Sequence, residues 1–265
     1  MHVHFTDQYR SGSSLIHRLD PRIKVLSTLA FILTASLLPT GLWLHYALLL
    51  CAPLFVSGVA GLGPGYILKR SFIALPFALA AITLPFTVPG APLATLPLFG
   101  GLTLSVEGTV RFLSIVLKSW ISVQMAILLV ATTPFPDLLW GLRALHIPRV
   151  LVSIVALMYR YIFVLADEAM RLARARAARS GMAAEGKAGG SIAWRGKVTG
   201  GMVGNLALRS FERSERIYDA MVARGYTGEI RHFAPPRLSP NDHTTAAVLF
   251  TFLALLLVTG FLFGG

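Results

Sequence analysis

Acidic side chains are scarce: 12 Asp and Glu stand among 265 residues, and all charged residues together make up 14% of the chain. A soluble globular chain of this length needs more polar surface than that to cover its core. Cysteine is nearly absent. The single Cys51 lies inside an apolar run, which excludes a disulfide framework and a cysteine-based metal site. No Walker-type glycine loop and no convincing nucleophile–base pair occur, so neither ATP binding nor catalysis is expected of this chain. The first twenty residues are polar (Asp7, Arg10, Ser11, Ser13, Asp20) and predict no cleavable signal peptide.

What is present is apolar: 55% of residues are hydrophobic and the mean hydropathy is +0.67. A bilayer core about 30 Å thick asks for roughly 20 mostly apolar residues per helical crossing. The pattern predicts spans over 23–38, 42–60, 71–88, 112–131 and 244–263. The first turn, Pro39-Thr40-Gly41, and the run Gly61-Leu62-Gly63-Pro64-Gly65 separate the first three. Residues 89–110, rich in Pro and Gly, read as a loop dipping toward the membrane surface. Lys118, inside the fourth span, has no account beyond snorkelling or internal pairing.

The net charge of +12 is unevenly placed. Sixteen of the 24 Lys and Arg residues lie between Arg143 and Arg237, which puts that segment in the cytoplasm by the positive-inside rule. Lys69 and Arg70 in the short 61–70 connection support the same orientation. Residues 151–158 resemble a further span, but a crossing there would export the Arg-rich stretch 171–179. Residues 150–180 are therefore read as one long helix projecting into the cytoplasm. The expected fold is an all-α integral membrane protein with about five transmembrane helices and long cytoplasmic helices. Its expected divisions are 1–131 with four spans, 132–242 cytoplasmic or interfacial, and 243–265 as the last span.

Two cytoplasmic helices are expected, one ending near Ser180 and one over about 206–224, joined by a flexible stretch with Gly186, Gly189 and Gly190. The second carries Leu208, Phe211, Tyr218 and Met221 near one stripe, with Arg209, Arg213 and Arg216 at helical spacing from Glu212, Glu215 and Asp219. Each helix ends in a small-Arg-small sequence with glycine: Ala178-Arg179-Ser180-Gly181 and Ala223-Arg224-Gly225. Small neighbours let a helix end sink into a groove while the guanidinium reaches carboxylates or carbonyls there. The plainer reading is that Ala and Arg form helices well and that Gly caps them. Recurrence at two caps in one segment favours docking into a partner with two equivalent grooves.

His2 and His4 tempt a metal reading, but two ligands do not complete a site and no metal site is expected. Asp20 before Pro21 reads as a helix N-cap followed by proline in the first turn. The adjacent pair Asp167-Glu168, beside Arg160 and Arg171, reads as pairing on one helix surface.

The run Ser14-Leu15-Ile16-His17-Arg18-Leu19-Asp20-Pro21-Arg22-Ile23-Lys24 resembles the opening signature of the transmembrane T components of energy-coupling factor (ECF) transporters. Thr132-Thr133-Pro134, Tyr159-Arg160-Tyr161, Asp167-Glu168 and the two Ala-Arg-Gly-type motifs fit it too, and the cobalt-type branch, CbiQ, is the most similar. The resemblance implies a scaffold without catalysis of its own, coupling two cytoplasmic ABC ATPases to a separate membrane protein, the S component, that captures the substrate. It implies that Ala178, Arg179 and Ser180, with Ala223, Arg224 and Gly225, dock into the two ATPases. Ser180 departs from the Ala-Arg-Gly pattern, and Ala173-Arg174-Ala175 offers a shifted register. It further implies no cofactor in this chain, ATP hydrolysed by the partners, a bacterial inner-membrane location with a cytoplasmic N-terminus, and cobalt as substrate, with nickel or a vitamin next. No nucleic-acid partner is expected. Other classes remain open: a lipid-modifying membrane enzyme, or a basic face that binds anionic lipid.

Overall fold

The computed structural model describes residues 9–96, 102–179, 191–228 and 238–263. These fall into two compact units: residues 146–228, and residues 9–145 together with 238–263. Among the described residues the protein is all-α apart from one small β-hairpin.

The larger unit opens with α1 (Leu15–Arg18) and α2 (Pro21–Leu37), and the start of α2 is written in the sequence. The Asp20 carboxylate accepts the Arg22 backbone N–H at 2.8 Å, and Pro21 occupies the first helical position. After α3 (Trp43–Val59) comes a broken stretch: α4 (Pro64–Ser71), a 3-10 turn at Phe72–Ala74, α5 (Leu75–Ala81) and α6 (Leu84–Thr87). The single span expected over 71–88 is thus corrected to a path bent by 50°. Pro76, in the break between the two limbs, explains it, since it removes a helical donor and crowds the preceding turn. Within the expected loop 89–110, β1 (Pro92–Leu96) pairs antiparallel with β2 (Leu102–Ser105).

The fourth span starts six residues earlier than expected, as α7 (Val106–Thr132). Ser105 caps it by accepting the Gly108 N–H at 3.0 Å, and Glu107 in its first turn accepts the Ala91 N–H at 2.9 Å. Thr133, held extended ahead of Pro134, ends it. α8 (Phe135–Ala144) follows, and α11 (Pro240–Phe263) closes the unit. α7 packs on α2, α3 and α4, while α2 also takes α8 and α11. Their shared core includes Phe31, Leu49, Ile67, Ile121, Leu128 and Leu253. Lys118 is explained here: its ammonium donates to the carbonyls of Ser36, at 3.2 Å, and Leu38. It neutralises the negative end of α2, a role set by packing rather than by sequence neighbours.

The second unit consists of α9 (Arg149–Arg179) and α10 (Ile192–Ala223). α10 begins well before the expected residue 206, with Ser191 as cap accepting the Trp194 N–H at 3.3 Å. By length and composition α7, α9 and α11 can each cross a membrane, and the bent pair 64–74 with 78–87 is a fourth candidate. At 17 residues each, α2 and α3 are about 25 Å long, slightly short of the hydrocarbon thickness.

Candidate coupling site

α9 changes character along its length. Leu151, Ile154, Met158 and Ile162, at helical spacing, form an exposed apolar stripe in its first half. From Asp167 onward the helix is polar and basic, too charged for hydrocarbon. α10 carries a second exposed stripe of Leu208, Phe211, Tyr218 and Val222. Met221 is half-buried, so Val222 takes the place that sequence spacing gave to its neighbour.

Three polar ties join α9 to α10 and the residues after it. Ser153 Oγ donates to the Gly228 carbonyl at 3.3 Å. The Glu168 carboxylate meets Arg213 Nη2 at 2.6 Å and Arg209 Nη1 at 3.6 Å. Arg176 Nη1 donates to Thr199 Oγ1 at 3.0 Å. As residue numbers rise along α9 they fall along its partner, so the two helices run antiparallel.

Glu168 is the only carboxylate in these ties, and it is 6% exposed. Arg209 and Arg213 do not turn to acids of their own helix, as spacing suggested, and Glu168 is not confined to pairs along α9. One shielded carboxylate flanked by two guanidiniums is a better arrangement than solvent-exposed pairs along a single helix. The hydrogen bond from Arg213, then the charges of Arg213 and Arg171, hold the Glu168 carboxyl below the ordinary carboxylate range. Because the folded value is lowered, the tie is present above the ordinary range and lost only as pH falls below it. Spin labels on α9 and α10 should therefore keep one separation from pH 8 down to about 5. Separation changing within that window would rule the carboxylate out as the pin.

The antiparallel register decides where the arginine motifs lie. Arg179 is the last residue of α9, and Ala178 and Arg179 are exposed. Ser180, Gly181 and the glycines at 186, 189 and 190 lie outside the described residues. Arg224 is the C-cap of α10, exposed with Ala223 and Gly225. With Gly228 level with Ser153, Arg224 sits beside the first half of α9. The two arginines are therefore not brought together. They stand at opposite ends of one helical pair, on the order of 30 Å apart along its axis.

The Arg224 end has a defined stop. The Tyr226 N–H reaches the Met221 carbonyl at 3.0 Å and the Gly225 N–H reaches that of Val222 at 2.9 Å. These two bonds form a Schellman motif, with Gly225 at φ +81°. A Cβ there meets open space, so alanine would be opposed by the backbone alone. Gly225→Ala is expected to destabilise this cap by about 1 kcal/mol, with Gly225→Asn milder. Hydrogen exchange at the Tyr226 amide measures it, and equal protection in all three proteins would remove the cap from the argument.

His2 and His4 lie outside the described residues, and among the described residues no three His, Cys, Asp or Glu side chains gather as a metal site. His17 is occupied locally, with Ser14 Oγ at 2.7 Å and the Arg10 carbonyl at 3.0 Å.

Residues 12–233 match the cobalt transport protein family, CbiQ. The cobalt transport protein CbiQ of Rhodobacter capsulatus is 29% identical, over 70% of this chain and 72% of its own. An energy-coupling factor transporter transmembrane protein, EcfT, of Listeria innocua is 31% identical, over 83% of this chain and 84% of its own. A putative ABC transporter ATP-binding protein of Bifidobacterium longum is 28% identical, matching 92% of this chain with only 32% of its own length. Apolar spans, an antiparallel pair of helices with arginines at both ends, and a match over most of the chain converge: this protein belongs to the CbiQ family of ECF transporter transmembrane components.

Proposed function

We propose that this chain is the coupling subunit of an ABC-type ECF importer, passing ATP-driven movement from two cytoplasmic ATPases to a substrate-capturing membrane subunit. The observation that carries the proposal is the placement of Arg179 and Arg224 at opposite ends of one pinned helical pair. A single ATPase groove could not take both ends at that separation, whereas two copies or two related subunits can each take one. Ala178 and Ser180 beside Arg179, and Ala223 and Gly225 beside Arg224, keep each end slim enough to enter a groove. That a relative named as an ATP-binding protein contains a region matching this chain supports ATPases as partners.

In this reading ATP is bound and hydrolysed by the partners, and this chain supplies no catalytic group or cofactor. Residues 132–242 and the N-terminus face the cytoplasm. The exposed apolar stripe of α9 meets the capturing subunit or lipid, and its displacement carries the stroke. The cargo is cobalt, supported by the family's name and that of the Rhodobacter relative, with nickel next.

The test is co-purification of the tagged chain with its ATPases, comparing wild type with Arg179→Glu plus Arg224→Glu. Reversing two groove-bound charges is expected to weaken binding by at least about 100-fold, since each desolvated charged contact contributes a few kcal/mol. Retention of the ATPases by an inserted, folded double variant would reduce the motifs to helix ends.

A further inference from the structure

One side of α10 carries a regular seam. Leu208, Phe211, Glu215, Tyr218 and Val222 follow one another in steps of three and four residues, the spacing that lays a continuous strip of one helix against another surface. All five are exposed. Leu206, Arg213, Ile217 and Met221, half-buried, form a different side, the one tied to Glu168 of α9. The helical pair therefore leaves the seam uncovered. From Leu208 to Val222 it runs about 21 Å, more than the tip of a helix needs to enter a groove.

The middle of the seam selects its occupant. Glu215 sets a negative charge among four large apolar side chains, and Glu212 and Asp219 flank it along one edge. All three acids are exposed. Among the described residues none of them forms an ion pair, although Arg216 stands within a turn of Glu212 and Asp219. Covering the seam takes Glu215 out of water, which is costly unless the covering surface supplies a cation there. A second copy of the chain does not. In register, parallel pairing sets Glu215 against Glu215, and so does antiparallel pairing of Leu208 with Val222 and Phe211 with Tyr218; like charges so placed repel. An anionic bilayer surface fails for the same reason, since helices that lie on one carry Lys and Arg beside the apolar strip. What fits is a protein groove with an apolar floor and a Lys or Arg at its centre.

The position of the seam selects the protein. It runs into the end of α10, stopping two residues before the C-cap Arg224. The other arginine end has no counterpart: from Arg171 to Arg179 the exposed residues are only arginine and alanine. The seam thus belongs to one docking end and extends the contact there from the tip along the side of the helix.

Resting on the ATPase docking proposed for Arg224, we infer that α10 lies lengthwise in a groove of one ATPase, its seam on the groove's apolar floor and Glu215 paired with a cation of that ATPase.

The test is retention of the ATPases by the tagged full chain in detergent. Glu215→Arg should weaken it by about 100-fold and Glu215→Gln by about 10-fold. Both substituents form helices about as well as glutamate, so helix stability alone would leave retention unchanged. A photoreactive benzoylphenylalanine at position 211 should crosslink to an ATPase, at a groove that contains a Lys or Arg. Should Glu215→Arg fail to fold, that crosslink on the otherwise wild-type chain still decides. If Arg179→Glu with Arg224→Glu releases the ATPases while Glu215→Arg keeps them, the lengthwise seat is wrong and the coupling role stands. If neither variant releases them, both fall. A crosslink from position 211 to lipid, to a second copy or to the substrate-capturing subunit also overturns the seat.

Discussion

Glu168→Gln is expected to lower transport by about ten-fold, inside the range typical of a coupling free energy, while ATP hydrolysis by the assembled complex changes less than about two-fold. Glutamine keeps the size of the side chain and removes its charge, leaving Arg209 and Arg213, one turn apart on α10, without the acid of α9 between them. The arginine motifs at Arg179 and Arg224 are untouched, so ATPase docking survives. What is lost is the fixed relation between α9 and α10, and movement delivered at one helix end is then no longer shared by the other. The split between transport and hydrolysis separates this from general damage to the fold, which would lower both. A swap sharpens it: Glu168→Arg with Arg213→Glu restores one acid between two arginines and should recover most of the transport. Normal transport in Glu168→Gln, or a swap no better than its single variants, would show that the helices need no such pin.

Features decided by neighbours along the chain were legible in the sequence. Asp20 with Pro21 announced a capped helix start, and Gly225 after Ala223-Arg224 announced a left-handed stop; both are present. The end of α7 at Thr132-Thr133-Pro134 follows from the restriction that proline places on the preceding residue. The long reach of α10 was hidden by Gly196, Gly200, Gly201 and Gly204, each of which lowers helix propensity by about 1 kcal/mol relative to alanine. A Cβ at any of these four meets open space, so they are not demanded by packing within the described residues. The bend in the third span was present in the sequence as Pro76, but apolar composition outweighed it. Partners far apart in sequence were illegible. Nothing near Lys118 points to the Leu38 carbonyl, and nothing near Glu168 points to Arg213 rather than to Arg171. Arginine ends were readable as motifs, whereas their separation depends on the antiparallel register, which only the ties between helices reveal.

Lys24→Met is expected to be the most damaging single substitution in the membrane unit, lowering stability by about 3–5 kcal/mol, the usual cost of removing one partner from a buried charged cluster. Lys24 is 8% exposed, and its ammonium donates to the His17 carbonyl at 3.1 Å and the Thr132 carbonyl at 3.2 Å. It therefore ties α1 to the end of α7. Asp137, Asp20 and Asp242 surround it electrostatically, and Asp242 accepts the Ser239 N–H at 2.8 Å at the start of α11. Methionine fills the same space without the charge, so the loss is not one of volume. Two carbonyls lose their donor, and buried Asp20 and Asp242 lose a neighbouring cation, Asp20 keeping only Arg22 at 3.9 Å. For a chain of this size the melting temperature in detergent should fall by about 10 °C. Asp20→Asn isolates the electrostatic part, because asparagine caps a helix as well as aspartate does. If charge balance dominates, Asp20→Asn combined with Lys24→Met should melt above Lys24→Met alone. If the double variant melts lower, the two hydrogen bonds to His17 and Thr132 carry the stability, and the cluster is a structural tie whose charges merely tolerate one another.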